Sequence, residues 1–103
     1  MTIARLWRGV ADTAAGARAY EDHVTAKVLP SLAAIPGYRG AKVLKRTSER
    51  GEVEFLVMTL WDSMEAIRRF AGDHPESAVV EPEAREVLSD YDDFVRHYDV
   101  TDA

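Results

Sequence analysis

The run Val53-Glu54-Phe55-Leu56-Val57-Met58-Thr59-Leu60-Trp61 decides how this chain folds. It is rich in β-branched and aromatic residues and has no glycine or proline, which predicts a strand. Successive side chains of a strand point to opposite faces. One face therefore takes Val53, Phe55, Val57, Thr59 and Trp61, and the other takes Leu56, Met58 and Leu60. A half-solvated strand would alternate apolar with polar. This one is apolar on both sides and needs cover on both.

The flanking segments build outward from that strand. Ser48 to Gly51 is a polar turn, so Tyr38 to Thr47 pairs with it as a hairpin. Asp62-Ser63-Met64-Glu65 reads as a capping box with Asp62 at the cap. A short helix follows, with Met64, Ile67 and Ala71 on one stripe and Gly72 as its stop. Toward the N-terminus, Ile3 to Val10 reads as a first strand, and Asp12 or Thr13 caps a helix over Ala14 to Leu29. Ala17, Tyr20, Val24 and Val28 recur on it at helical spacing. Pro30 is expected to end or kink this helix near Leu29, with Leu32 and Ile35 in a last turn before Pro36-Gly37. Toward the C-terminus, Asp73 to Val80 reads as a loop, Pro82 opens a short helix over Glu83 to Ser89, and Phe94 to Val100 is the last strand.

That order is β-α-β-β-α-β. It predicts one α+β domain over residues 1–103, ferredoxin-like, with a four-stranded antiparallel sheet covered by helices on one face. The uncovered face would expose a larger apolar patch than monomers usually carry. A homodimer paired through its sheet faces is the simplest cover. Folding of the C-terminal segment across that face is the alternative.

Composition narrows the function classes. The net charge is -5, with 13 Lys and Arg against 18 Asp and Glu, and no basic stripe, so no nucleic-acid partner is expected. There is no cysteine, which removes disulfides, thiolate metal sites and a cysteine nucleophile. No apolar run approaches the roughly 20 residues that span a bilayer, and residues 1 to 20 hold no continuous apolar core of a secretion signal. No membrane partner is expected, and the cytoplasm is the expected compartment. The chain also contains neither Asn nor Gln, so no side-chain amide can orient a substrate or fill an oxyanion hole.

The candidate chemical groups are few. Phosphate loops, nucleophile elbows and His-Glu-x-x-His motifs are missing. The histidines His23, His74 and His97 are far apart, and their spacing supports no metal site. His97 in the last strand is either a base or a strand histidine bonded to a neighbour. His23 shares a side of the first helix with Tyr20, and His74 lies in a loop. Trp61 and Trp7 are either core residues or flat walls for an aromatic ligand. Arg5 and Arg8 flank Trp7, and an arginine on a covered face needs an anionic partner, from the protein or from a ligand.

Several segments together resemble the antibiotic biosynthesis monooxygenase family of the dimeric α/β-barrel superfamily. They are Arg5-Leu6-Trp7-Arg8-Gly9, Pro36-Gly37-Tyr38-Arg39-Gly40-Ala41, Glu54-Phe55-Leu56-Val57 through Leu60-Trp61-Asp62-Ser63, Glu65-Ala66-Ile67, Phe70-Ala71-Gly72 and Val95-Arg96-His97-Tyr98-Asp99-Val100. The resemblance implies a dimer through the sheets and a cavity between sheet and helices in each subunit. It implies a cofactor-independent monooxygenase acting on a small aromatic or enolisable, polyketide-like substrate that reacts with oxygen once deprotonated. On that reading His97 is the base, Arg8 stabilises the anion, Trp61 and Trp7 wall the pocket, and Tyr20 and His23 line its rim. Haem-degrading relatives use an asparagine on the first strand, and a tryptophan and an axial histidine after the third. Here Asn is absent, Phe70 stands about where that tryptophan would be, and Val79 or Val80 stands where the histidine would be, with His74 nearby. The resemblance therefore implies no cofactor, and His74 is the one histidine close to a haem-ligand position. The alternatives to an oxygenase are a non-catalytic ligand-binding or accessory dimer and a haem-handling protein.

Overall fold

A computed structural model describes residues 1–103. The chain runs β1 (Thr2–Ala11), α1 (Ala14–His23), a π-helical turn (Val24–Val28), α2 (Leu29–Leu32), β2 (Tyr38–Thr47), β3 (Val53–Trp61), α3 (Met64–Ala71), α4 (Pro82–Val87), β4 (Asp90–Tyr91) and β5 (Arg96–Val100). This is the expected ferredoxin-like order, except that the last strand is divided in two.

The sheet is antiparallel, with spatial order β2-β3-β1-β4 and with β5 also on β1. β3 and β1 are central, and Trp7 stands opposite Val57. β4 and β5 occupy one edge of β1 in succession. Gly9 faces Tyr91 and Leu6 faces Arg96, so three steps along β1 meet five along the outer strand. The surplus residues form a bulge that breaks the fourth strand. Trp7 Nε1 donates to the Asp92 carbonyl at 2.8 Å and pins it from the core side. Ala78 N donates to Asp93 O and Val95 N donates to Glu76 O, both at 2.8 Å, so the loop before α4 is stitched to the bulge.

β3 shows which of its two apolar faces meets the helices. Val53, Phe55, Val57, Thr59 and Trp61 are buried, and the residues between them are half-buried. Phe55 joins Trp7, Tyr20, Val24 and Leu88 in the main core, while Trp61 joins Leu32, Ala66 and Ile67 in a second one. Leu6, Leu56, Met58 and Leu60 point the other way and are only half-buried. Thr101 to Ala103 are exposed and form no strand, so no C-terminal cover is seen.

The helices depart from expectation in two places. α1 does not stop near Leu29; it widens into the π-helical turn, and the helix resumes at α2 with Pro30 in its first turn. The proline ring would clash with the carbonyl four residues back and has no N–H to give it. The wider turn relieves both, as Leu29 N reaches back to Val24 O. At α3 the cap is Ser63, whose Oγ accepts from Ala66 N at 3.1 Å, not Asp62. Asp62 instead takes Arg39 as a partner, which lowers its pKa. Between these helices Gly37 has φ +92°, and a Cβ there would lie 2.5 Å from that of Ala66. Only glycine permits that turn to sit so close to α3.

Candidate functional site

A cavity opens between the helix-covered face of the sheet and the α1–α2 arm. β1 contributes Arg5 and Trp7 to it, and β3 contributes Val57 and Thr59. Tyr20 and His23 come from the end of α1, and Val24 and Val28 from the π-helical turn. Leu29 and Leu32, Phe70, and the Val79–Glu81 stretch with Ala84 close it. A π-helical turn re-aims side chains that a regular helix would keep on one stripe, and such turns are frequent at functional sites. The enclosed volume is about 60 Å³, and the free space reaches about 590 Å³ when the solvent-open mouth is counted.

Its wall is mostly apolar, which makes the polar groups informative. Arg5 is 6% exposed. Its Nη2 donates to Ser77 O at 2.9 Å and more weakly to Pro75 O at 3.4 Å, while its Nε has no partner. The guanidinium lies 5.3 Å from the centre of the Phe70 ring. No carboxylate pairs with it, and burial pulls its pKa down to about 10. Arg5 is therefore a buried cation that is still charged at neutral pH and lacks a counter-charge. Tyr20 packs edge-on to Phe55 at 4.9 Å, and burial raises its pKa, which keeps the hydroxyl a proton donor. His23 is 9% exposed, its Nε2 has no hydrogen-bond partner, and Glu81 Oε2 stands 3.8 Å away.

Of the expected site residues, Trp7, Tyr20 and His23 meet at this cavity. Trp61, Arg8 and His97 do not. Trp61 is fully buried in the second core, with Tyr38 edge-on at 5.2 Å and Phe70 stacked at 6.0 Å. Phe70 comes between it and the cavity, so Trp61 backs the wall but does not form it. Arg8 is one residue out of phase with Arg5 and Trp7, and strand alternation sends it to the opposite face. There its Nε donates to Glu54 at 2.6 Å, and Asp90 and Asp92 stand farther off. That hydrogen bond is the main reason its pKa is raised. The arginine that lines the cavity is Arg5.

His97 faces Arg5 across the β1–β5 pair but stays outside the cavity lining, with a buried, unpartnered Nε2. Burial lowers its pKa most, nearby Arg5 lowers it further, and Glu76 opposes them. A depressed histidine pKa means that the unfolded chain binds the proton more readily. The stabilisation is complete above the unfolded pKa near 6.5 and is lost as the pH falls through the folded value. Melting temperature should therefore drop between pH 7 and pH 5.5, and His97→Gln should flatten that part of the profile. An unchanged slope in the variant would show that other groups carry it. His74 sits on the loop after α3, its side chain 81% exposed, with Glu76 3.7 Å away. The three histidines thus occupy three separate places.

Solved structures of similar shape share little sequence with this chain. SnoaB, a cofactor-independent oxygenase from Streptomyces nogalater, has a TM-score of 0.64 at 16% identity, covering 99% of this chain and 95% of that one. The monooxygenase from the gene ActVA-Orf6 of Streptomyces coelicolor, solved in complex with Nanaomycin D, has a TM-score of 0.64 at 19% identity, covering 98% and 88%. The haem-degrader MhuD of Mycobacterium tuberculosis, with two haems bound in its active site, also has a TM-score of 0.64 at 19% identity, covering 98% and 97%. No curated protein matches. The family model described as antibiotic biosynthesis monooxygenase matches residues 13–82, from the cap of α1 to the start of α4. The chain belongs to the antibiotic biosynthesis monooxygenase family.

Proposed function

We propose that this protein is a monooxygenase that takes a small aromatic or enolisable substrate as its anion and needs no cofactor to oxidise it. The observation that carries this reading is Arg5, a buried guanidinium without a carboxylate in an otherwise apolar cavity. A phenolate or enolate oxygen supplies the missing counter-charge. Arg5 lowers the pKa of such a ligand, and the protonated Tyr20 hydroxyl is a second donor at the same wall. Trp7 and Phe70 offer ring faces, and the enclosed space of about 60 Å³ is open to solvent on one side, where a ring can enter. The released proton leaves to water at the open mouth. An enolised ring then has the electron density to reduce oxygen itself. Its CH2 group becomes C=O, with one oxygen atom of O2 entering the carbonyl and the other leaving as water.

EDTA-treated protein mixed with a dihydroxyanthrone in air-saturated buffer should consume oxygen and yield the anthraquinone faster than buffer alone. Saturable anthrone binding without oxygen uptake would overturn the oxygenase reading and leave a ligand-binding protein. A haem-handling role has less support. Phe70, Val79 and Val80 line the cavity where haem-degrading relatives use tryptophan and histidine, and His74 lies outside it.

The second sheet face is the proposed dimer interface. Leu6, Leu56, Met58 and Leu60 are half-buried there, and Leu44, Phe94 and Tyr98 are among the large apolar residues left exposed. Burying each large side chain stabilises by roughly 1.5–3 kcal/mol. Leu56→Glu in the middle of that face should convert a dimer to monomers in sedimentation equilibrium at micromolar concentration. A wild-type protein that sediments as a folded monomer would end the proposal.

A further inference from the structure

The mouth of the cavity holds a set of side chains that the oxygenase reading does not use. His23 closes α1, Glu81 caps α4, and Glu83 lies in the first turn of α4. One ligand atom from each lies within 4.8 Å of the others. The chain order hides this, because α1 and α4 come from opposite ends of the sequence and meet only in the fold.

Three features set this group apart from an ordinary surface cluster. His23 is nine-tenths buried, and its Nε2 has neither a donor nor an acceptor, although unpaired buried nitrogen is unfavourable. The nearest carboxylate oxygen, on Glu81, is 3.8 Å away, too far for a hydrogen bond but near the separation of two ligands on one ion. No Lys or Arg forms an ion pair with Glu81 or Glu83. A buried imidazole and two carboxylates therefore converge without a basic side chain paired to either carboxylate.

The geometry points to a divalent transition-metal site at the cavity mouth, formed by His23 Nε2 and the carboxylates of Glu81 and Glu83, which clamps α4 to the end of α1. One imidazole and two carboxylates suit zinc or manganese better than magnesium, which prefers oxygen ligands and retains its waters. Both glutamates are exposed, so their side chains can close the last ångström onto an ion without disturbing the core. Water completes the coordination. The clamp also fixes the Val79–Glu81 wall, because that stretch leads directly into α4.

The test uses metal binding alone, so its outcome is independent of the oxygenase reading. EDTA-treated full-length protein is titrated with ZnCl2, MnCl2 and MgCl2 by calorimetry, and CoCl2 is added to read the visible spectrum. We expect one Zn2+ per chain, Mg2+ at least about 100-fold weaker, and a cobalt spectrum characteristic of four or five ligands. Saturating Zn2+ at about 100 times Kd should raise Tm by roughly 10–20 °C. Glu83→Gln changes only an exposed side chain and should weaken Zn2+ at least about tenfold, the size of effect that even an outer partner of a metal ligand has. His23→Gln should abolish binding, and Glu49→Gln, in the distant β2–β3 turn, should leave it intact. Absence of saturable Zn2+ binding, or equal affinity in Glu83→Gln and Glu49→Gln, would overturn the proposal.

Discussion

Trp61→Ala should lower the unfolding free energy by about 3–5 kcal/mol, read as a fall in the urea midpoint at constant slope. A domain of this size has about 5–15 kcal/mol in total, so the variant stands near the limit of folding. Trp61 is 0% exposed and packs on Leu32, Ala66 and Ile67. Truncation leaves a cavity that rigid neighbours cannot collapse into. It also removes the Nε1 donor that bonds Thr59 Oγ1 at 2.8 Å, leaving a buried hydroxyl. Trp61→Phe should lose less, because the ring contacts with Tyr38 and Phe70 are partly kept. A loss below about 1 kcal/mol for the alanine variant would contradict this packing and favour a ring that stands free as a ligand wall.

Arg5→Met should do the opposite, with a large effect on ligand and a small one on stability. Removing one preorganised charge donor from an anion in an enclosed site lowers turnover by about 10²–10³-fold. The anthrone assay and a phenolate-binding titration both read this. Unfolding free energy should change by only about 1 kcal/mol, because relief of a buried charge offsets the hydrogen bonds lost to Ser77 O and Pro75 O. Arg8→Met is the matched comparison. It should leave ligand binding intact, since its partners Glu54, Asp90 and Asp92 are on the other face. Equal effects of the two variants on ligand would remove Arg5 from the site.

The contrast between these arginines marks how far sequence reasoning reaches. Alternation along β1 puts Arg5 with Trp7 and Arg8 opposite them, and that much is legible without coordinates. Which side receives the helices is not, because β3 is apolar both ways and the choice is made by packing of α1 and α3. The hairpin, the element order and both long central strands follow from local pattern. β4 does not, because Asp90-Tyr91-Asp92-Asp93 has no alternation, and its break is stabilised by bonds to Glu76 and Ala78 from an earlier loop. The same limit applies to the cavity. Tyr20 and His23 share a helix side and are readable together, whereas Val79, Val80 and Glu81 reach them through a loop with no periodicity. The π-helical turn that brings Val24 and Val28 to the wall has a visible cause in Pro30, but its geometry has no local code.

The interrupted outer strand also constrains how copies of this chain can associate. An incoming strand needs an unbroken row of amides and carbonyls to extend a sheet sideways. From Asp90 to Val100 that row changes register midway, and its bulge residues already bond to Glu76 and Ala78. At the far margin β2 carries Lys42, Lys45 and Arg46, which repel a like strand laid alongside. Lateral polymerisation into fibres is therefore disfavoured at both margins.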